Sequence, residues 1–395
     1  MSKKEINLIK FIVLRYADPI SSMDLTDDYL LFGTMLGSTV CYIIDKNKIL
    51  SLSTVQDEYI SGVKIIENNL YICIGDLKIL IYDLNPENIN ENSEIPFNEI
   101  NNYKEEKDHN DRCENCLTML NNNFLVRTFI EFPAEPHEEP TTKECTVLIK
   151  NILENDENSQ IEKKIEMSNY SVPFDYDGKY FAFIDFIKEN ERKFNLIDFN
   201  SDNENINFEI EKFEEKIGHI SHLKLLKNNQ LFIVRDYNIC EIRTFNFKLV
   251  KSLNIKSNEI LAFDIMFENE NNKENNIENN IEKNNENSEE KTKENISENN
   301  SENNRIDFKE NKNKINIGNF YIILLDLDCN VILYNYNEDK SKILFNLEKD
   351  NLNIDNDIKE QTFFTFGYPY YIKMTKKYIS ISSDYGCILV QNPGF

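Results

Sequence analysis

The chain has 395 residues, more than one ordinary hydrophobic core accommodates, so it forms either two or three domains or one repeat architecture. Its 69 acidic residues outnumber 44 basic ones and give a net charge of −25, which argues against binding to nucleic acid or anionic membranes, because both attract cations. Arginine is scarce and no two arginines are adjacent, so the bidentate clusters of a phosphate-binding surface are missing.

The cysteines and the amino-terminal residues indicate a cellular compartment. The eight cysteines stand mostly inside strand-like runs, and the first residues, MSKKEINLIK, lack the apolar stretch of a secretory signal. We therefore expect a reduced protein without a disulfide framework. The strongest apolar run, residues 317–327, is interrupted by Asn319 and Asp326 and is shorter than a membrane span. These features predict a soluble cytoplasmic protein, with cytoskeletal or nuclear association left open.

Short runs of β-branched and aromatic residues, separated by polar turns, predict strands along the whole chain. The first run, residues 6–16, belongs to no group. The later runs form seven groups, at residues 20–54, 59–84, 116–167, 170–213, 220–255, 260–347 and 363–391. Six groups are expected to contain four strands, with the fourth strand of the second group placed before residue 85, and the last group contains three. If the first run pairs beside the last three strands, the termini close a ring of seven four-stranded groups.

Three segments are predicted to lie outside the strands. They are an acidic, Asn-rich loop at residues 85–111, a Pro-containing hairpin loop at residues 132–144 and an Asn/Glu/Lys-rich insert at residues 268–314. The insert is almost free of apolar residues, so it cannot offset the entropy lost on ordering and is predicted to be disordered. We interpret it as a tolerated expansion within the sixth group, with docking of a basic partner as the alternative.

A hairpin pattern recurs, first as CIGDLKILIYDL at residues 73–84 and later as LDLDCNVILYNY at residues 325–336. An aspartate in a tight turn is followed six residues later by an aromatic residue, as Asp76 is by Tyr82, and Asp83 closes the first copy. Corresponding positions elsewhere are Asp236, Asp328, Tyr334 and, shifted by one residue, Asp384.

This hairpin resembles the second-to-third strand turn and closing dipeptide of WD40-like β-propellers, and Gly218-His219 is similar to the Gly-His pair that opens a repeat of that family. The resemblance covers nearly the whole chain at repeats of about 40 to 50 residues. It implies an all-β, seven-bladed β-propeller spanning residues 1–395, whose ring is closed by the amino-terminal strand pairing with the last blade. His219 and Asp236 would pair, although the family's tryptophan is absent from every repeat. A six-bladed or eight-bladed ring is the alternative.

Residues that could carry chemistry are few. Cys113 and Cys116, with His109 nearby, have the spacing of half a zinc site, which His137 or Cys145 would complete. A single CxxC is weak evidence, and Cys116 also fits a buried strand position, so we expect no metal. The sequence has no HExxH, no GxSxG and no phosphate-binding glycine loop. We therefore predict no catalytic residue and no cofactor, and a structural role for His219 and His222.

The sequence thus favours a non-catalytic scaffold or adaptor that presents propeller loops to protein partners as a subunit of a hetero-complex. The acidic field would steer a basic partner towards it, and neither nucleic acid nor membrane is expected as a partner. The alternative is a propeller enzyme or metal-binding protein with a site in the central channel.

Overall fold

The structure is a computed structural model. It describes residues 5–14, 18–52, 59–74, 78–84, 97–101, 113–121, 124–131, 143–151, 153, 160–167, 173–188, 191–199, 219–268, 319–352, 370–384 and 386–395. Every regular element in these ranges is a β-strand. None of the residues described belongs to a helix with the length and apolar character needed to cross a bilayer.

Antiparallel sheets follow one another along the chain, after two short strands, β1 (Glu5–Ile6) and β2 (Leu8–Val13). Sheet 1 contains β3 (Ile20–Leu25), β4 (Tyr29–Thr34), β5 (Thr39–Ile43) and β6 (Lys48–Leu52). Sheet 2 contains β7 (Ile60–Ile66), β8 (Asn69–Ile74), β9 (Lys78–Asp83) and β10 (Phe97–Asn101). Sheet 3 contains β11 (Cys113–Asn121), β12 (Phe124–Glu131), β13 (Lys143–Asn151) and β14 (Gln160–Met167).

The remaining sheets continue the same order. Sheet 4 contains β15 (Phe174–Tyr176), β16 (Tyr180–Lys188) and β17 (Glu191–Asp198). Sheet 5 contains β18 (Ile220–Leu226), β19 (Gln230–Arg235), β20 (Ile239–Thr244) and β21 (Leu249–Ser252). Sheet 6 contains β22 (Ile260–Phe267), β23 (Phe320–Asp326), β24 (Asn330–Asn335) and β25 (Lys340–Asn346), followed by the isolated β26 (Asn351–Leu352). Sheet 7 contains β27 (Tyr371–Met374), β28 (Tyr378–Ser383) and β29 (Gly386–Gln391).

The amino-terminal strand completes the last sheet. β2 pairs antiparallel with β29, with Leu8 opposite Val390, so the predicted pairing of the first run beside the last three strands is confirmed. The run itself is divided, because β1 pairs in parallel with β26 instead. Asn7 separates the two strands: its carbonyl accepts from the amide of Gln391 at 2.9 Å, and its side chain donates to the Gln391 side chain at 2.7 Å.

The fourth strands of sheets 2 and 4 were predicted from the sequence, and their outcomes differ. The fourth strand of sheet 2 is β10, which lies inside the predicted loop at residues 85–111 rather than before it. Phe97 pairs with Tyr82 and Ile100 with Ile79, so this segment forms the edge strand beside β9 despite its polar composition. Sheet 4 has three described strands, and the predicted strand at residues 207–213 lies outside the described residues, as do 132–142, 269–318 and 363–369.

The hydrophobic core is divided among the gaps between neighbouring sheets. Seven clusters of buried side chains each combine residues of two successive sheets. Representative pairs, from sheets 1 and 2 through to sheets 7 and 1, are Leu31 with Ile72, Tyr71 with Leu125, Val147 with Phe181, Ile184 with Leu223, Phe232 with Phe320, Ile323 with Ile379, and Leu389 with Phe32. Each sheet therefore buries both of its faces.

A buried tyrosine on the third strand anchors the next turn in two sheets. The hydroxyl of Tyr42 donates to Asn47 at 3.1 Å, and that of Tyr334 donates to Asp339, five residues further on in both cases. Asn47 and Asp339 have φ angles of 47° and 53°, which Asn and Asp tolerate better than most residues. In both sheets, the hydroxyl group of a tyrosine on the third strand thus forms a hydrogen bond with a residue of the turn that follows.

Candidate functional site

The first strand of several sheets carries a bulge near its beginning. The register shifts by one residue after Ile20, Ile60, Ile220 and Ile260. At the first of these bulges the Ser21 hydroxyl donates to the carbonyl of Ile60 on the next sheet, at 2.5 Å. A bulge re-aims the side chains that follow it. The first strands are therefore built alike, and equivalent residues can be compared from sheet to sheet.

Three ion pairs of the same geometry join neighbouring first strands, and we call each a clasp. In the first clasp, Asp24 of β3 accepts from Lys64 Nζ at 3.1 Å and from the amide of Ile65 at 2.9 Å. The carboxylate thus binds both a side chain and the backbone of β7. This arrangement leaves a nearly buried charge paired and hydrogen-bonded, as its low exposure requires.

The other two clasps repeat these contacts. Asp175 of β15 accepts from Lys224 Nζ at 3.1 Å and from the amide of Leu225 at 2.7 Å. Asp264 of β22 accepts from Lys373 Nζ at 3.3 Å and from the amide of Met374 at 3.0 Å. In each clasp the amide belongs to the residue after the lysine. The clasps join sheets 1 and 2, sheets 4 and 5, and sheets 6 and 7.

Electrostatics within the clasps follow from burial and proximity. Burial raises the pKa of Asp175, while the charge of Lys224 and the amide of Leu225 oppose that shift. The Asp264 carboxylate raises the pKa of Lys373, burial opposes this, and Asp24 of sheet 1 adds to it. Lys373 therefore feels carboxylates from both of its neighbouring sheets.

A cavity of about 540 Å³ opens beside the third clasp and is lined by first strands of several sheets. Its wall is mostly apolar, and its ionisable side chains are Lys373, His222 and two tyrosines, Tyr370 and Tyr371. The lining residues come from sheets 1, 5, 6 and 7, among them Ile20, Leu261, Phe263 and Ile372. Apolar walls with few polar groups are typical of binding cavities.

His222 is held in the cavity wall by defined contacts. Its Nε2 lies 3.3 Å from the carbonyl of Leu261, and its Nδ1 lies 2.9 Å from the hydroxyl of Ser221. Since a carbonyl only accepts, Nε2 carries the proton and Nδ1 accepts from the serine. The ring also packs edge-on against Phe263, and burial lowers the pKa of His222 below its ordinary value. The residue is therefore neutral and sits in the wall as a packing group.

The cavity opens at one end of the sheets, which we call the loop face. Strands alternate in direction, so the start of each first strand and the turn between the second and third strands lie at the same end of a sheet. Hydrogen bonds also cross between sheets here, as from the amide of Ile260 to the carbonyl of Tyr237. The described residues of the loop face include 18–19, 35–38, 59, 173, 219, 236–238, 253–259, 327–329, 347–350, 370 and 384.

Large apolar side chains are exposed on the loop face. Met35 is 53% exposed and Leu36 62% exposed, and Met35 and Tyr370 also line the cavity. Tyr59, Tyr237 and Leu327 add further exposed apolar surface. The charged residues among these loop-face ranges are mainly acidic: Asp18, Asp236, Glu259, Asp328, Glu348, Asp350 and Asp384, with Lys256 and Lys349 as the basic ones. The face thus combines apolar side chains near the cavity with carboxylates among the loops.

The predicted repeat positions that the structure describes have structural contacts. Tyr82 is buried in the cluster between sheets 1 and 2, and Asp83 ends β9. Tyr334 is fully buried in β24. Asp328 accepts from the side chain of Asn258 at 3.4 Å, and Asp384 binds the hydroxyl of Tyr370.

The backbones of His219 and Asp236 are in contact. The amide of Asp236 donates to the carbonyl of His219 at 2.6 Å, the histidine ring packs against Tyr237, and the Asp236 carboxylate binds Arg235 at 3.0 Å. The backbone contact closes the loop face of sheet 5.

The proposed half zinc site falls largely outside what is described. His109 is not among the described residues, and for Cys113 and Cys116 only the backbone, in β11, is described. Asp76, a predicted repeat position, is likewise outside the described residues. Among the side chains that are described, no group of three or more His, Cys, Asp or Glu is arranged to hold a metal ion.

Sequence reasoning missed the clasps. The clasp residues occupy equivalent positions near the end of the first strand of each sheet. Six of the seven sheets have an aspartate or a lysine at this position. In sheet order these positions are Asp24, Lys64, Met119, Asp175, Lys224, Asp264 and Lys373. The signal is a charged residue recurring inside an otherwise apolar run, which becomes visible once the strands are aligned.

The chain is thus an all-β protein built of successive antiparallel sheets, a fold similar to that of β-propellers. No family model and no curated protein matches the sequence. Among solved structures it is similar to the WD40 β-propeller domain of Doa1, with a TM-score of 0.53, 8% identity, and coverage of 98% of this chain and 97% of that chain. An oligogalacturonate lyase in complex with manganese is also similar, with a TM-score of 0.51, 10% identity, and coverage of 93% of this chain and 86% of that chain. At such identities the likeness shows the fold alone.

Proposed function

We propose that the sheets are the blades of a seven-bladed propeller whose ring is closed by β2. Successive packing supports this, since the seven hydrophobic clusters join each sheet to the next and sheet 7 to sheet 1. The effect of Asp24 on Lys373 supports the same adjacency of the first and last sheets. A ring that borrows its last strand from the other terminus completes the closing sheet and ties the two ends of the chain together.

We further propose that this cytoplasmic protein is a non-catalytic interaction platform and that protein partners dock on the loop face. The observation that carries the proposal is the apolar cavity surrounded by exposed Met35, Leu36 and Tyr370. Exposed apolar side chains grouped around a concavity are typical of contact surfaces. The surrounding carboxylates and the net charge of −25 favour a basic partner. The role is that of a subunit of a hetero-complex.

A metal-dependent enzyme with its site in the central channel is the second candidate, because one similar structure is a lyase in complex with manganese. Each clasp carboxylate near the channel already binds a lysine and a backbone amide. A metal would have to displace those donors. Metal analysis of the purified protein decides between the candidates: stoichiometric metal retained through chelation would favour the enzyme.

The docking proposal is tested by tagged expression in the native cells and capture of partners. We expect Met35→Glu with Leu36→Glu to lose stoichiometric partners that the unaltered protein retains, because both substitutions bury a charge in the contact. Ile49→Glu is the matched control, since Ile49 is 43% exposed on β6, away from the loop face. Equal loss in the control, or full retention in the double variant, would refute docking at this face.

A further inference from the structure

We infer that the six charged residues of the clasps form one alternating circuit, in which Lys373 links the last sheet to the first and fixes where the ring closes. The inference rests on the ring arrangement proposed above, and it is independent of whether partners dock on the loop face. It assigns to Lys373 a role that neither Lys64 nor Lys224 has, namely specification of the closing interface.

The first step of the argument is that each clasp recognises its neighbour at two points. An aspartate needs a lysine at the equivalent position of the next sheet, together with the amide that follows it. The three clasps satisfy this with lysine contacts of 3.1 to 3.3 Å and amide contacts of 2.7 to 3.0 Å. A sheet with an apolar residue in place of the lysine would leave a buried carboxylate without a counter-ion, which is strongly unfavourable.

The second step concerns the number of sheets. Signs that alternate around a ring of odd number must place two like charges side by side unless one position is neutral. Here sheets 4, 5, 6, 7, 1 and 2 carry Asp, Lys, Asp, Lys, Asp and Lys in order, and sheet 3 carries Met119. The neutral residue therefore stands between the Lys of sheet 2 and the Asp of sheet 4, and alternation is preserved at every other interface.

The third step is that the closing interface is built around Lys373. The hydroxyl of Tyr371 donates to the carbonyl of Ser21 at 2.5 Å, so β27 lies beside β3. The hydroxyl of Ser380 lies 3.4 Å from the sulfur of Met23, which packs β28 against the same strand. Lys373 stands in this interface with Asp264 on one side and Asp24 on the other. Lys64, in contrast, has the Met119 position on its far side.

Double-mutant cycles on the full chain test the circuit. Asp24→Asn and Lys373→Met are combined, and unfolding in urea is followed by far-UV circular dichroism. We expect the two effects on the unfolding equilibrium constant to be non-additive by roughly fivefold. Asp175→Asn with Lys373→Met is the matched control, and it should be additive because sheets 4 and 7 are not neighbours.

A second readout covers the case in which Lys373→Met does not fold. In folded Asp24→Asn, hydrogen exchange of the β27 amides should become faster than in Asp175→Asn, because β27 contacts only the first of these aspartates. Additivity in the Asp24 cycle, equal coupling in the control, or unchanged exchange in β27 would overturn the inference. Partner capture by Asp24→Asn and Asp175→Asn separates this outcome from failure of the docking proposal, because neither residue lines the cavity or lies on the loop face.

Discussion

Gly33 on β4 is the position where sheets 1 and 2 approach each other most tightly among the described glycines. A Cβ added there would lie 2.2 Å from Cγ2 and 2.6 Å from Cβ of Ile60, which is fully buried at the start of β7. Carbon atoms in contact prefer about 3.5 to 4.0 Å. Because the Cβ of Ile60 is itself too close, rotation of that side chain cannot relieve the clash, and the two strands must separate.

We therefore expect Gly33→Ala to lower the free energy of unfolding by roughly 1–3 kcal/mol, the usual range for overpacking a core. Urea denaturation followed by circular dichroism measures the change. Gly394→Ala is a useful comparison: its added Cβ would lie 2.6 Å from the end of the Leu333 side chain, which can move, so the loss should be smaller. In an Ile60→Ala background the effect of Gly33→Ala should shrink by about 1 kcal/mol. If the two substitutions were additive, the packing of sheet 1 on sheet 2 at this point would be refuted.

Three further predictions concern titration, the insert and the thiols. Folding lowers the pKa of His222, so the contribution of this residue to stability is complete above about pH 6.5 and is lost as the pH falls through the folded-state pKa. Between pH 6.5 and 5, the free energy of unfolding should therefore depend less on pH in His222→Gln than in the unaltered protein. Identical slopes in the two proteins would contradict this. Replacing residues 269–318 with a two-residue turn should leave the melting temperature almost unchanged. Glu268 and Asn319 already close the hairpin through a backbone hydrogen bond of 2.8 Å and a side-chain hydrogen bond of 2.9 Å. A large fall in the melting temperature would show that the insert supports sheet 6. Burial raises the pKa of Cys41 to about 12 and that of the more exposed Cys329 to about 11. Site-resolved mass spectrometry after brief alkylation of the native protein should therefore find Cys41 unmodified, with Cys329 modified first among the five cysteines whose side chains are described.

The strands were predictable because their signal is local. Short runs of β-branched and aromatic residues bounded by polar turns occur at many described strands, and residues 6–16 could be matched to the last sheet by counting strands. Boundaries and minor elements were less accessible. The pairing of β1 with β26 joins residues 5–6 to 351–352 and involves two residues on each strand, too few for any periodicity. β10 was missed because its segment, FNEIN, has two apolar residues three positions apart and therefore shows no period of two.

The candidate site was less predictable than the fold, for a physical reason. A cavity is lined by residues from several sheets, so its composition depends on which sheets are neighbours and on the register of each first strand. The bulges after Ile20 and Ile220 shift that register by one residue, and an alignment by turn position alone misplaces the residues that follow. The exposed pair Met35 and Leu36 was visible in the sequence, but its position beside His222 and Tyr370 required the fold.

The clasps also bear on how a sequence without tryptophan can hold this fold. Buried ion pairs are poor sources of stability, because desolvation offsets most of their attraction. They do discriminate between arrangements: Asp24 against Lys64 is satisfied, whereas Asp24 against another aspartate or an apolar residue would cost several kcal/mol. The hydrophobic clusters supply apolar burial that many sheet orders could provide. The charged positions favour an order in which each aspartate faces a lysine, so we propose that the apolar residues supply most of the stability and that the clasps help to select the order of the sheets.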